Sequence, residues 1–461
     1  MLASHKVNGA NGSPDPVLQR SLRFTPPNIT ASRGLYLTLE NGQEVLDATS
    51  GAAVACLGHG NERVRDAVVR QMDKLSYCHS FMFATPSGDE LGKLVIDSTG
   101  GRMSKAVFVS SGSEAVEAAM KLARQYYLEV SPPQPQRIHF IARKGSYHGT
   151  TLGGLSLGGH VSRRAPFEPV LMQHISHVEA CNEYRGKREG ESTEAFVQRL
   201  AQELDDEFQR VGPETVCAFV AEPVVGAALG CVPSVPGYFT AMKAVCDKYG
   251  ALLILDEVMS GMGRTGTLHA WEQENVVPDL QTIGKGLGGG FQPIAGLLVG
   301  HRVVDALDKG TGAFVHGHTY QAHPVACAAA AEVQRIVKEQ DLMANVTRQG
   351  KYLEKLLREG LEDHPNVGNI RGRGLFWGIE FVRDKATKQP FDPKQAIAMR
   401  IHETALTPAY SITLYPGSGT ADYGRAGDHV LLAPPYTVTA ADVEAIADRT
   451  VRVVRDVLGG V

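Results

Sequence analysis

The sequence predicts an α/β protein: a large domain on a mostly parallel sheet, joined to a smaller α+β domain. Three observations predict it. The chain has 461 residues, too many for one ordinary core, so two or three structural units are expected. Between about residues 62 and 325, short apolar runs alternate with amphipathic helical stretches, the pattern of a sheet covered on both faces. After Val325 the pattern changes to a long helical stretch, then strands, then a final helix.

Taken in order, residues 1–20 are polar, carry Asn, Gly, Ser and Pro, and lack the apolar core of a signal peptide, which predicts a mobile tail. Residues 21–61 are expected to join the small domain. Within them, residues 35–39 and 44–46 alternate as strands around Asn41-Gly42, a hairpin signal. Residues 62–325 form the large domain, with candidate strands at 106–110, 138–142, 218–221, 252–256 and 297–299. The segments between them are long enough for crossover helices, and such sheets bind ligands beyond the carboxyl ends of their strands. Residues 326–461 form the small domain, with a helix over 326–360, a strand over 375–381 and a helix over 440–458. The charged stretch 182–194 reads as a solvated loop. No internal repeat is present.

A composition of 43% hydrophobic and 21% charged residues, with net charge -4, is that of a soluble globular protein and points to no nucleic-acid partner. The longest apolar runs, such as residues 251–255, fall far short of the roughly 18–20 residues that span a bilayer. Seven cysteines lie singly between Cys56 and Cys327 without C-x-x-C spacing. That excludes a zinc knuckle or disulfide framework and predicts a reducing, cytoplasmic setting. The final Leu458-Gly459-Gly460-Val461 matches no lipidation or targeting signal.

Four segments carry chemistry. Residues 252–258 form a buried strand that delivers Asp256 and Glu257 at its carboxyl end, as a functional acid pair or as a helix cap. Twenty-nine residues after Asp256 comes Lys285, held in Gly284-Lys285-Gly286-Leu287-Gly288-Gly289-Gly290. Flanking glycines permit positive φ and close approach of a ligand, and a dry site would lower the lysine pKa and free its amine as a nucleophile. Gly286 in place of Ser or Thr excludes a P-loop, leaving a flexible loop as the other reading. Ser110-Ser111-Gly112-Ser113-Glu114, between a strand and a strong helix, offers N–H groups and a hydroxyl to a phosphate, or is an ordinary helix start capped by Ser113. Tyr147 in Gly145-Ser146-Tyr147-His148-Gly149 lies flat on a heteroaromatic ring or in the core.

Together these motifs resemble class III pyridoxal 5′-phosphate (PLP)-dependent aminotransferases, the group with ω-amino acid, ornithine and 4-aminobutyrate aminotransferases. The resemblance covers about residues 30–455, with the motifs in family order. It implies a fold type I PLP-dependent transferase in which Lys285 carries PLP as a Schiff base and moves the proton between Cα and C4′. It also implies that Asp256 partners the pyridine nitrogen and that Gly112 and Ser113 cradle the phosphate. Tyr147 with the adjoining His148, Val258 and Glu222 would complete the cofactor contacts, at one ring face, the opposite face and the O3′ side. Thr319, in His316-Gly317-His318-Thr319-Tyr320, matches a residue that reaches the phosphate held by a neighbouring subunit, which implies at least a homodimer with sites at the interface. His316 and His318 then need no metal, and no metal is expected. Arg264 reads as support for the loop after Asp256. Arg425 stands where ω-transaminases have a mobile arginine for the acceptor carboxylate, and Phe81 and Phe83 are candidates for an apolar donor pocket or for the core.

The function so implied moves an amino group from a primary amine or ω-amino acid to a 2-oxo acid, with pyruvate favoured and 2-oxoglutarate possible. A PLP-dependent aminomutase, racemase or decarboxylase on the same fold, and a non-catalytic binding subunit, are the alternatives.

Overall fold

The structure, a computed structural model, describes residues 16–22 and 25–459, so most of the segment expected as a tail lies outside the described residues. A seven-stranded sheet forms its centre: β1 (Met103–Val109), β2 (His139–Arg143), β3 (Ile175–Val178), β4 (Val216–Ala221), β5 (Leu252–Asp256), β6 (Leu280–Ile283) and β7 (Ala295–Gly300). Their spatial order is β1-β7-β6-β5-β4-β2-β3. Only β7 runs against its neighbours, β6 and β1, and the remaining pairs are parallel. Of these strands, β3 and β6 fall outside the five sequence-predicted runs.

Strand periodicity decides what each face meets. In β5, Leu252 and Ile254 join the cluster around helix α1 (Gly112–Glu129), while Leu253 and Leu255 join the cluster around Phe196, Leu200, Phe208, Phe239 and Met242. Every residue of β5 is buried, because both faces are covered. The same alternation sends Asp256 to the α1 side and turns Glu257 away from it.

The N-terminal strands Tyr36–Leu39 and Glu44–Leu46 pair around Gly42, whose φ of +84° meets the positive-φ demand of the turn. A third strand, Ile29–Arg33, pairs with the first. Its residues are all exposed, so no hydrophobic alternation marks it in the sequence. Leu46 then exchanges backbone hydrogen bonds with Ser411 and Thr413 and packs in the C-terminal core.

That core lies beneath a four-stranded antiparallel sheet, ordered Val367–Arg373, Phe376–Phe381, Ala426–Leu432, Tyr415–Ala421. The helix predicted over 326–360 is two: α2 (Pro324–Glu339) and α3 (Leu342–Leu361). Asp341, at φ +48°, breaks the run without altering its hydrophobic pattern. Helix α4 (Ala440–Leu458) starts in a capping box from Thr439 and Asp442. Residues 182–194 depart from a solvated loop: Arg185 pairs with the fully buried Glu380, and Arg199 reaches back to Glu191. The seven cysteines are free thiols, and no helix among the described residues is long and apolar enough to cross a membrane.

Candidate active site

At the carboxyl ends of β4 and β5 lies a cleft of about 480 Å³, the size of a small-ligand site. It brings together Gly112, Ser113, Tyr147, His148, Glu222, Asp256, Val258 and Lys285. A larger cleft, about 740 Å³, holds neither Lys285 nor Asp256, and its Arg371 and Arg373 are already paired with Glu380 and Glu274.

The two acids at the end of β5 have different fates. Asp256 accepts hydrogen bonds from Val258 N (3.1 Å) and Thr282 Oγ1 (2.9 Å), and its Oδ2 meets His148 Nδ1 at 2.8 Å. Burial alone would raise its pKa, but the bond to His148 and the other donors hold it below the usual aspartate value, so the carboxylate stays ionised. Glu257 turns the other way and accepts from Ala270 N (2.6 Å) and Trp271 N (2.8 Å); burial pushes its pKa up to about 8. It supports a neighbouring turn and does not line the cleft.

Lys285 follows β6 directly and is itself the strained residue. Its φ is +41°, whereas Gly284 is extended at -174°, so positive φ falls on the lysine rather than on its flanking glycines. Such a conformation persists only where surroundings impose it. Here Gly288 N and Gly289 N donate to Lys285 O, while the buried Gln334 donates to Gly286 O (3.0 Å) and Leu287 O (2.8 Å). Burial lowers the Lys285 pKa, opposed in part by the charges of Asp256 and Glu222.

The start of α1 completes the floor. Ser111, not Ser113, is its cap: Ser111 Oγ accepts from Glu114 N at 3.3 Å in a full capping box. This corrects the expectation of Ser113, since two serines two positions apart offer the same sequence signal. Ser113 Oγ instead accepts from Thr150 N (3.0 Å). The N–H groups of Gly112 and Ser113 have no intrahelical acceptor and lie where the helix dipole favours an anion. Gly112 also meets a packing demand, because a Cβ there would come within 2.7 Å of Val258 Cγ1.

Glu222, buried after β4, accepts from Tyr147 N (3.1 Å) and Gly226 N (3.3 Å); burial and then the nearby Asp256 raise its pKa against the influence of His148 and Arg143. Tyr147 is half-buried against Val225, Ala228 and Leu229, with the Arg163 guanidinium 4.8 Å from its ring centroid. The buried Nε2 of His148 has no partner among the described residues.

Four predicted residues are not brought to this cleft. Phe81 and Phe83 are 86% and 63% exposed, neither core nor wall of the cleft that holds Lys285. Thr319 is exposed, and its carbonyl accepts from Tyr77 Oη (3.1 Å), which ties its loop to the segment bearing the two phenylalanines. Arg425 is 58% exposed and 3.4 Å from Asp422. His316 and His318 meet different partners, Lys121 (3.0 Å) and Glu114 (3.1 Å). Arg264 is buried and donates to Leu375 O and Pro434 O. Residues missed in the sequence are Thr282, which registers against Asp256 across β5 and β6, and Arg163, Arg20 and Tyr415, which line the cleft. Strand register was the signal for Thr282; the others carried none.

Comparison with known proteins gives the family. Residues 18–454 match the family model described as aminotransferase class-III. An aminotransferase of Gibberella zeae is 56% identical over 96% of this chain and 86% of its own length. The gamma aminobutyrate transaminase 3 of Solanum lycopersicum is 34% identical over 95% and 82%. The solved structure of a PLP-bound amine transaminase from an uncultivated Pseudomonas species superposes with a TM-score of 0.88 at 30% identity, covering 98% of this chain and 99% of that one. The chain belongs to the class III aminotransferases, PLP-dependent enzymes of fold type I.

Proposed function

We propose that the protein transfers an amino group from a primary amine or ω-amino acid to a 2-oxo acid, pyruvate being favoured over 2-oxoglutarate. The observation that carries this reading is the convergence of Lys285, the ionised Asp256 and the start of α1 on one cleft. The similarity to an amine transaminase and a gamma aminobutyrate transaminase supports the donor class.

The residues present fit PLP. The free N–H groups of Gly112 and Ser113 suit a phosphate dianion, and a buried carboxylate held ionised suits a protonated ring nitrogen. Tyr147 and Val258 offer flat or branched apolar surface to the two ring faces, and Glu222 and His148 stand beside them. When bound, PLP supplies an aldehyde that condenses with amines and a ring that accepts the electron pair left at Cα.

Lys285 would supply the amine that holds the cofactor, and, once an incoming amine has displaced it, its lowered pKa would keep it neutral and able to carry a proton from Cα to C4′. Asp256 would hold the ring nitrogen protonated, and His148 and Thr282 keep Asp256 charged and aimed. Phe81, Phe83 and Thr319 form an exposed, partly apolar surface with Met82 (70% exposed) and Val315 (72%). A surface of that kind marks a contact with another chain, so we assign these residues to a homodimer in which Thr319 reaches the phosphate of the other copy. Arg425 is free to swing for the acceptor carboxylate.

Mixing the PLP-loaded protein with a panel of amines and ω-amino acids tests the reading. At least one donor should convert the cofactor from its aldehyde to its amine form, and pyruvate should restore the starting spectrum. Turnover of a substrate with no such conversion would contradict amino transfer.

A further inference from the structure

The acids of the cleft, Asp256 and Glu222, both have hydrogen-bond partners at its floor. Besides Lys285, the cations that line it among the described residues are two exposed arginines, Arg20 and Arg163. Arg163 is the better founded. It stands on the short turn Val161–Arg164, which is fastened on both sides. His160 Nε2 meets Ser418 O at 3.1 Å, and Ser162 Oγ donates to Gly424 O. The fit against that segment is tight: a Cβ at Gly419 or Gly424 would come within 2.3 or 2.7 Å of the His160 ring.

Within this turn the two arginines differ. Arg164 is committed, donating to Gly158 O (2.8 Å) and pairing with Glu168 (3.1 Å). Arg163 has no carboxylate partner among the described residues; its guanidinium lies over Tyr147 at 4.8 Å. A guanidinium stacked on an aromatic ring keeps its planar fork of donors for a carboxylate. Arg425, one residue after the Gly424 that Ser162 holds, is 58% exposed, faces Asp422 and does not line the cleft.

We propose that Arg163 is the fixed anchor for the distal carboxylate of an ω-amino acid donor, and so a specificity-determining residue of this cleft. The proposal rests on the amino-transfer reading and names its donor class. It divides the recognition of acids between two arginines on fastened segments: Arg163, held in place, for the donor, and Arg425, movable, for the acceptor.

The test compares 4-aminobutyrate with 1-aminobutane, the same chain without its carboxylate, as donors at saturating pyruvate. In Arg163→Ala the ratio of KM for 4-aminobutyrate to KM for 1-aminobutane should rise about tenfold or more, the weight of one charge-assisted hydrogen bond. Arg163→Lys should fall between, because it keeps the charge and loses the fork; it also carries the test if Arg163→Ala fails to load PLP. Calorimetric titration of the loaded protein with butyrate should show weaker binding in the same order. An unchanged KM ratio with unchanged butyrate affinity would overturn the proposal, as would an unmodified protein that accepts 1-aminobutane and refuses 4-aminobutyrate. Neither amine, nor any other donor, reacting with the unmodified protein would overturn the amino-transfer reading itself.

Discussion

The floor of the cleft and the edge formed by residues 77–83 and 315–320 differ in how their groups are satisfied. On the floor, Asp256 has three hydrogen-bond partners, Glu222 two backbone donors, and the Lys285 turn is clasped by Gln334. At the edge, Phe81, Met82, Phe83 and Val315 stand more than half exposed, and the Thr319 carbonyl accepts a hydrogen bond from Tyr77 of the neighbouring loop. The polar groups of the floor find their partners within one chain, whereas the apolar side chains of the edge stand exposed on it. On the proposed reading the floor carries the bond-making chemistry and the edge meets a second copy of the chain.

The largest expected effect comes from breaking the floor. Asp256→Asn keeps the shape and removes the charge that holds the ring nitrogen protonated, so kcat should fall by about 10²–10³, with PLP still bound. A loss below tenfold would place the electron sink elsewhere.

Hybrid assemblies test whether floor and edge belong to different copies. Lys285→Ala destroys the floor. Thr319→Asp sets a carboxylate against the phosphate expected from the other copy. Each variant alone should be nearly inactive. After subunit exchange at equal amounts, roughly a quarter of the wild-type activity should return, since half of randomly paired dimers are hybrid and each hybrid carries one intact site. No recovery would mean that Thr319 serves its own chain, and a Thr319→Asp variant active by itself would mean that it serves neither.

The smallest effect should follow Thr282→Val, which removes one of three donors to Asp256 and leaves His148 and Val258 N in place. Activity should drop by about two- to tenfold, with the acid limb of the pH–rate profile moved upward. The sign follows from the lost donor: Asp256, held below its usual pKa in part by Thr282, becomes easier to protonate as pH falls. A loss as large as that of Asp256→Asn would show that Thr282 does more than orient it.

Much of the floor was legible because its parts are short, contiguous motifs at strand ends. The buried run of β5, the glycine-framed Lys285 and the Ser-Ser-Gly-Ser-Glu helix start each announce themselves locally. What was hidden depends on pairing or on absent partners. Thr282 acquires its place from the register Asp256↔Thr282, and Arg163 from a turn pinned to residues 418–424, more than 250 positions away. Ser111 and Ser113 compete for one cap, and the break at Asp341 leaves the hydrophobic pattern of α2 and α3 uninterrupted. Phe81 and Phe83 read as pocket or core because an apolar side chain does not show in the sequence whether its own chain covers it.

The central claim is that Lys285 is the covalent anchor of the cofactor, and its chemistry can be read directly. Borohydride treatment of the PLP-loaded protein followed by peptide mass spectrometry should find the phosphopyridoxyl group on Lys285. The yield of cofactor loading before reduction should rise with pH and level off below 10.5, the ordinary lysine value from which burial lowers this one. A phosphopyridoxyl group on another lysine, or none on an active and loaded protein, would contradict the account.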